Sequence, residues 1–344
     1  MSTFRKVQLQ IGDTLVEADA PYIVSASRAT DIPAFFSEWF MARLREGYCV
    51  RKTRQNKGWS YTSFENCKVF VFWTKNPIPL LPFLDEIIQR GFKFYFQYTV
   101  NDYADYEPNL PPLSERIDAF EAIAQKYGRH TVIWRYDPVF ISNRLTIPGL
   151  ITKINAIGSR LSEFTNKLVF SFVDLEKYYF IKIRLSKNGL SCNELQKKER
   201  LQFVERLKDI NTKWPKPLQL ATCAEEDDFR ACGVQKSRCI DPELIERLIP
   251  TEKNFLQSLG IGQSQLTLLP GITRFDEQES FFVKDKSQRH ECGCAPSKDI
   301  GEYNTCPHSC EYCYANTSKE IALKNWQLHK QNPNSETIKG NDKL

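Results

Sequence analysis

Six short apolar segments, each followed by a helical pattern, constrain the fold of this chain more than any other feature. β-Branched and aromatic residues occupy both faces of these segments, as in strands that are covered on both sides. Strands that alternate with helices form βαβ units and therefore a parallel sheet. The six segments are residues 22–27, 69–73, 93–99, 131–135, 167–173 and 218–222.

The number of such units predicts an α/β fold of the (β/α) barrel type, complete or partial. A doubly wound open sheet is the alternative. We expect a further strand near residues 294–300, a single domain over 1–330 and a disordered polar tail over 331–344. Residues 1–20 are polar and are expected to be irregular.

Composition narrows the classes of protein that fit. The net charge is 47 − 42 = +5, which allows a phosphate-bearing partner without arguing for one. No run approaches eighteen apolar residues and the N-terminus lacks an apolar signal core, so we expect no membrane span and a cytoplasmic location. Nine of the eleven cysteines follow residue 190. In a reducing compartment they are better metal or cluster ligands than disulfide partners.

A cysteine triad near the end of the chain is the strongest chemical motif. Cys306, Cys310 and Cys313 are spaced four and three positions apart, so one short turn can aim three sulfurs at one point. Three thiolates would fill three corners of a cubane iron–sulfur cluster, where four would close it. The fourth iron would then be open to a ligand that is not protein. A structural zinc site and unligated thiols are the alternatives.

Besides the triad, five cysteines follow Cys192 and provide a second donor set. The glycine of the Cys292-Gly-Cys294 pair lets both sulfurs face one way, directly before the triad, within a predicted cluster-binding segment at 292–316. We expect four of the five to hold an auxiliary cluster, with zinc or buried thiols as the alternatives. The chosen set is Cys223, Cys239, Cys292 and Cys294, with Cys232 in reserve.

Polar side chains follow each predicted strand, where the loops of a (β/α) barrel carry the site. Capping of the next helix is the alternative for any Asp or Asn among them, Asp31 above all. Arg28, Lys75 and Arg135 would place three cations at one rim, suited to a carboxylate or phosphate. The full set is Ser25, Ser27, Arg28, Asp31, Lys75, Asn76, Gln97, Tyr98, Arg135, Asp137, Asp174, Cys223, Glu225 and Glu226.

Residues 43–57 form a basic stretch with six cations and one acid, and Tyr48, Trp59 and Tyr61 lie within it or close to it. Basic and aromatic residues together suit phosphate and base contacts. This stretch therefore supports action on nucleic acid as one interpretation. A solvated helix end and loop is the other.

The triad, with Tyr312 just before its last cysteine, resembles the signature of the radical SAM superfamily. A longer pattern is similar to a bacterial family of uncharacterised proteins with such a cysteine cluster at the C-terminus. Radical SAM enzymes carry the triad after their first strand, whereas here it follows the last, so the resemblance implies a circularly permuted barrel. The pattern comprises Ser25-Ala-Ser-Arg-Ala-Thr-Asp-Ile-Pro33, Phe72-Trp-Thr-Lys-Asn-Pro77, Trp134-Arg-Tyr-Asp-Pro138, Cys239-Ile-Asp241, Cys292-Gly-Cys294 and Asp299-Ile-Gly301.

The resemblance implies a [4Fe-4S] cluster, one or two per chain, whose open iron binds S-adenosylmethionine (SAM). It implies reductive cleavage of SAM, an electron donor such as flavodoxin or ferredoxin, and an unknown substrate. Ser25-Ala-Ser27-Arg28 stands where the superfamily has a Gly-Gly-Glu-like motif. A non-catalytic iron–sulfur sensor or electron carrier is an alternative. The expected contacts to SAM or substrate are Tyr312, Ser25, Ser27, Arg28, Lys75, Arg135 and Asp137.

Overall fold

The computed structural model describes residues 4–52, 58–261 and 283–340. Its largest element is an eight-stranded sheet in which every neighbouring pair is parallel. In spatial order the strands are β11 (Gln235–Lys236), β10 (Gln219–Thr222), β9 (Lys167–Phe172), β8 (Val132–Val139), β7 (Lys93–Thr99), β6 (Val69–Thr74), β3 (Ile23–Ala26) and β12 (Lys298–Asp299). The six strongest predicted strands therefore all belong to one parallel sheet, as expected.

The predicted closure into a barrel is not observed. Among the described residues the two edge strands, β11 and β12, do not pair with each other. Each edge strand contains only two residues, which is too short to continue a ladder around a barrel. The architecture is therefore an open, mixed α/β arrangement built on a parallel sheet.

Two apolar cores lie on opposite faces of the sheet, because successive strand residues point to opposite sides. Phe70 and Phe72 of β6 belong to the core beneath the outer helices. Val69 and Val71 belong to the second core. The outer helices are α1 (Ile32–Phe35), α2 (Ser37–Glu46), α3 (Leu84–Gln89), α4 (Leu113–Tyr127), α5 (Ile147–Leu161), α6 (Tyr179–Lys187) and α7 (Lys197–Asn211).

The second face of the sheet is covered by later parts of the chain. Helices α8 (Pro242–Leu248) and α9 (Lys253–Ser258) pack there with Cys239, Cys292 and Cys294. Coverage on both sides explains why the central strands are apolar throughout. No helix in the described part of the chain is both long and apolar enough to cross a membrane.

A four-stranded second sheet begins the chain, in the order β1 (Arg5–Ile11), β2 (Thr14–Ala20), β5 (Trp59–Ser63) and β4 (Tyr48–Lys52). The prediction that residues 1–20 are irregular is wrong, since β1 and β2 form an antiparallel hairpin. The apolar residues Val7, Leu9 and Ile11 alternate with polar ones and pack on a small core of their own. This sheet lies against the edge of the large one, where Lys298 donates to Asp19 and Ser60.

The segment that follows α10 (Lys319–Gln331) is ordered as far as residue 340, so the predicted disordered tail over 331–344 is wrong for this part. Trp39 Nε1 donates to the Ser335 carbonyl at 2.9 Å, and Val50 N donates to the Glu336 carbonyl at 3.0 Å. The backbone of the segment thus pairs with buried donors of α2 and β4, which outweighs its polar composition. Residues 341–344 lie outside the described part, and the assignment of 1–330 to one domain stays a prediction.

Candidate functional site

A cavity of about 760 Å³ lies at the carboxyl ends of the parallel strands. Ligand sites of α/β proteins favour this edge of a sheet, and the volume suits a cofactor or small ligand. Ten of the predicted strand-end residues line it: Ser27, Arg28, Asp31, Lys75, Gln97, Arg135, Asp137, Asp174, Cys223 and Glu225.

Four predicted strand-end residues do not line this cavity. Tyr98 points to the helix side and donates to the Arg116 carbonyl. Asn76 accepts from the Ile78 amide and so caps the following helical turn. Glu226 is exposed. Ser25 is buried against Asp299. Tyr98 points away because the side chains of a strand alternate between its faces, and its neighbour Gln97 lines the cavity instead.

Seven of the cysteines line this same cavity: Cys306, Cys310, Cys313, Cys223, Cys239, Cys292 and Cys294. These are the predicted triad and the predicted second set. Cys232 is elsewhere, half-buried against the helix-side core. Residues from distant parts of the sequence are therefore brought to one site.

The triad loop is held in a closed turn after β12. Cys313 N donates to the Cys310 carbonyl at 3.2 Å, and Asn316 Nδ2 donates to the Cys306 carbonyl at 2.7 Å. Ser309, just before Cys310, has a left-handed φ of 57°, which a non-glycine residue adopts only where its surroundings enforce it. The three thiols are close enough to interact electrostatically with one another.

Asp31 fixes the triad loop to the ends of β3 and β6. It caps α1 as predicted, accepting from Ala34 N at 3.0 Å. It also accepts from Thr74 Oγ1 and from Lys75 N, both at 2.7 Å. Its Oδ2 lies 2.9 Å from Nε2 of His308, the residue between the first two cysteines of the triad. One buried carboxylate thus joins three segments of the site.

Glu107 forms a second buried anchor, which the sequence did not predict. Its Oε1 accepts from Lys75 Nζ at 2.7 Å and from Asn101 Nδ2 at 3.2 Å. The Tyr312 hydroxyl donates to the same oxygen. Burial and then the charge of Glu107 hold the pKa of Tyr312 well above its usual value. Tyr312 therefore anchors the loop through its hydroxyl, whereas its expected contact with a cofactor stays a prediction.

Asp299 links the strand before the triad to β3. β12 pairs in parallel with β3, the neighbour expected if the chain is permuted. Ser25 Oγ and Ser27 Oγ donate to the Asp299 carboxylate at 3.0 and 2.6 Å, and Gly301 N donates to it at 3.0 Å. Both hydroxyls are therefore engaged within the protein in this structure.

The three predicted rim cations, Arg28, Lys75 and Arg135, all line the cavity. Lys75 is paired with Glu107, and Arg135 is paired with Asp137. A ligand that binds either of these two side chains would therefore share it with a carboxylate of the protein.

Arg28 is the exception among the three rim cations. Its guanidinium carbon lies 5.2 Å from the centre of the Trp73 ring, and its Nη2 is buried without a hydrogen-bond partner. Burial alone would lower the pKa of Arg28, but Asp299 and then the thiol of Cys294 raise it above its usual value. Arg28 is therefore the rim cation with a donor left for a ligand.

The basic stretch contributes only part of its charge to the cavity. Arg43 is buried and donates to the Asn334 carbonyl, and Arg45 is paired with Glu86. Arg51 and Lys52 line the cavity. Residues 53–57 lie outside the described part of the chain.

The donor chemistry of the triad fits a soft metal centre. Burial raises the pKa of the Cys306 and Cys310 thiols far above the usual value, so they are neutral unless a positive charge lies beside them. A metal supplies that charge. In the described part of the chain, no three His, Cys, Asp or Glu side chains converge as the ligands of a metal ion do. In a cubane each sulfur binds a different iron, so the sulfurs need not converge on one ion.

Glu225 is a buried carboxyl in the cavity wall, and burial raises its pKa from 4.5 to about 7. Its Oε1 accepts from Phe172 N at 2.8 Å. Because the unfolded chain ionises first, the free energy of unfolding should fall as pH rises from 4.5 to 7, by up to about 3 kcal/mol. Glu225→Gln should remove this component.

Urea unfolding of wild type and Glu225→Gln at several pH values between 4.5 and 8 measures this pH dependence of stability. The exposed neighbour provides the control, since Glu226→Gln should leave the pH dependence of wild type unchanged. Equal pH slopes for wild type and Glu225→Gln would contradict the assignment.

The comparisons with known proteins give one match. A family described as "Domain of unknown function (DUF1848)" matches residues 23–315. The matched segment begins at β3 and ends just after the triad, so it contains the whole central sheet and all seven cavity-lining cysteines. No curated protein and no solved structure matches the chain significantly. Since the match covers most of the chain, the protein belongs to the DUF1848 family.

Proposed function

We propose that this protein is an iron–sulfur enzyme in which Cys306, Cys310 and Cys313 hold a [4Fe-4S] cluster and SAM is the co-substrate. The observation that carries the proposal is the position of the three neighbouring thiols, which face a cavity at the strand ends with room for a further ligand. The bound cluster would supply one electron to SAM, whose S–C5′ bond then breaks to give methionine and a 5′-deoxyadenosyl radical.

The residues around the triad support this role because they hold the loop before any metal binds. Asp31 and Glu107 connect the loop to β3, β6 and the segment after β7. A loop fixed in this way loses little conformational entropy when its thiols bind a cluster. Arg28, with its free Nη2, would bind a carboxylate of SAM or of the substrate.

The fold supports a relationship to permuted (β/α) proteins. The strand that precedes the triad pairs with β3, which is the first strand of the central sheet in sequence. We include a partial, circularly permuted barrel in the proposal. The electron donor would be a low-potential protein such as flavodoxin or ferredoxin in a reducing cytoplasm.

Anaerobic reconstitution with iron and sulfide, followed by dithionite and SAM, tests the proposal. We expect 5′-deoxyadenosine and methionine in equal amounts from wild type and none from Cys310→Ala. Cys67→Ala is the matched control, since Cys67 is a buried thiol outside the cavity, and its product yield should equal that of wild type.

An intact cluster at the triad that binds no SAM would overturn the enzyme and favour an electron carrier. A zinc ion at the triad would overturn both the enzyme and the electron carrier. The basic stretch keeps nucleic acid as an alternative substrate, because Arg51 and Lys52 line the cavity. A gel shift that weakens with salt would support that alternative.

A further inference from the structure

The second set of thiols forms a continuous group on the wall of the cavity. The sulfurs of Cys223 and Cys239 lie 3.2 Å apart. The thiols of Cys239 and Cys294 interact, as do those of Cys294 and Cys292. The four side chains come from the end of β10, the segment before α8 and the segment before β12, so tertiary folding alone brings them together.

Cys239 is fixed from the side of the sheet. Its carbonyl accepts from the Tyr95 hydroxyl at 2.7 Å and from Gln97 Nε2 at 2.9 Å. Cys294 is fixed by the segment of Cys239, because Ala295 N donates to the Ile240 carbonyl at 3.1 Å. Hydrogen bonds from β7 and between the two segments therefore hold the backbone that carries Cys239 and Cys294.

Two of these sulfurs accept hydrogen bonds from N–H groups of the protein. Arg135 is buried, and its Nη1 donates to the Cys239 sulfur at 3.0 Å. The sulfur of Cys294 accepts from the backbone N of Cys239 at 3.2 Å and of Ile240 at 3.4 Å. N–H groups that point at sulfur, one of them charged, stabilise negative charge that is added to a centre bound there.

We propose that Cys223, Cys239, Cys292 and Cys294 hold a second iron–sulfur centre, ligated entirely by protein, and that Arg135 raises its reduction potential. Hydrogen bonds to the ligand sulfurs and nearby charge are among the factors that set the potential of such centres. This centre uses other cysteines than the triad, although both sets line the same cavity, and the proposal does not require cleavage of SAM.

A polynuclear centre and a single zinc ion make different demands on these four thiols. Zinc needs four donors around one point. Within the residues that the structure describes, no three donors meet in that way. In a cubane each thiolate binds its own iron. The close contact between Cys223 and Cys239 would open as both sulfurs take up separate metal ions.

Metal content after anaerobic reconstitution tests the site. Wild type should hold about eight iron atoms per chain, four for each cluster. The triad variant Cys306→Ala/Cys310→Ala/Cys313→Ala should hold about four, and Cys239→Ala/Cys294→Ala should also hold about four. Cys232→Ala, outside the cavity, should match wild type. Two results would overturn the proposal. One is an iron content in the Cys239→Ala/Cys294→Ala variant equal to that of wild type, and the other is the loss of one zinc per chain from this variant in place of iron.

The role of Arg135 is tested by EPR-monitored redox titration in the triad variant, where the second centre is the one that remains. Arg135→Gln should lower the reduction potential of the second centre by about 59 mV, which is a tenfold change in the equilibrium constant of a one-electron couple. Arg135→Lys keeps the charge and should show a smaller shift. Arg160→Gln, which alters an exposed ion pair on α5, should show none.

Each outcome decides the role of Arg135. An unchanged potential in Arg135→Gln would overturn it. If the Arg135→Gln protein fails to retain iron, the same titration is made on the Arg135→Lys protein. An unchanged reduction potential in that protein would overturn the role of Arg135. Loss of SAM cleavage with the second centre intact would instead count against the proposed function alone.

Discussion

Replacing Glu107 by alanine should lower the free energy of unfolding by about 3–5 kcal/mol, because removal of one partner leaves a buried charge without compensation. The side chain of Glu107 is almost fully buried, and that of Lys75 is mostly buried. Lys75 Nζ lies 2.7 Å from Glu107 Oε1. The change also removes the acceptor for Tyr312 and Asn101. We expect the triad loop to lose its fixed position and the triad to lose iron.

Urea unfolding measures the stability, and iron content after reconstitution measures the loop. Glu107→Gln keeps an acceptor oxygen, so this variant should retain part of the stability and part of the iron content. Asp85→Ala is the matched control, because Asp85 and Lys126 form an exposed ion pair, and exposed pairs contribute little to stability. A Glu107→Ala protein as stable as Asp85→Ala would show that Glu107 is not an anchor.

Gly301→Ala should lower the free energy of unfolding by about 3 kcal/mol, through overpacking and the loss of hydrogen bonds. A Cβ at this position would lie 2.0 Å from Ser27 Oγ and 2.5 Å from Ser27 Cβ. Ser27 cannot move away freely, because its hydroxyl donates to Asp299 and accepts from Ala29 N. The added methyl group would therefore force β12 and β3 apart beside the triad.

A second substitution separates this clash from a general effect of alanine. Ser27→Gly removes both clashing atoms, so Gly301→Ala should cost at most about 1 kcal/mol in that background. Gly149→Ala in the wild-type background is the control, since a Cβ at this position would lie 3.4 Å from Thr146 Oγ1, which is an ordinary van der Waals contact. Urea unfolding of wild type, the three single variants and the double variant provides the free energies for this comparison. Equal costs of Gly301→Ala with and without Ser27 would contradict the argument.

The parallel sheet could be predicted from sequence because burial on both faces produces unmistakable apolar runs. Residues 93–99 were predicted as a strand with the bounds that β7 has. The hairpin of β1 and β2 was missed, since an alternating strand such as Arg5–Ile11 carries more polar than apolar residues. The segment after α10 was missed because its order comes from backbone contacts, which composition does not reveal.

The three cysteines of the triad could be predicted to lie together, since their close spacing limits where the sulfurs can go. The partners of the cations were not. Glu107 lies in a loop with no strand or helix pattern, and its pairing with Lys75 arises only from tertiary packing. Arg135 was predicted as a ligand-binding cation, whereas the fold places it between a carboxylate and a thiol. Local sequence shows which groups can react, and long-range packing decides which of them remain available.

The pairing of β12 with β3 has a consequence for how the protein matures. Ser25 and Ser27 contact Asp299 across 274 and 272 positions of the chain. During translation one edge of the first central strand therefore stays unpaired until residues 298–299 have left the ribosome. Loading of any metal at the triad must follow the synthesis of residue 313, and a nascent chain stalled before residue 298 would present an unprotected strand edge to chaperones and proteases.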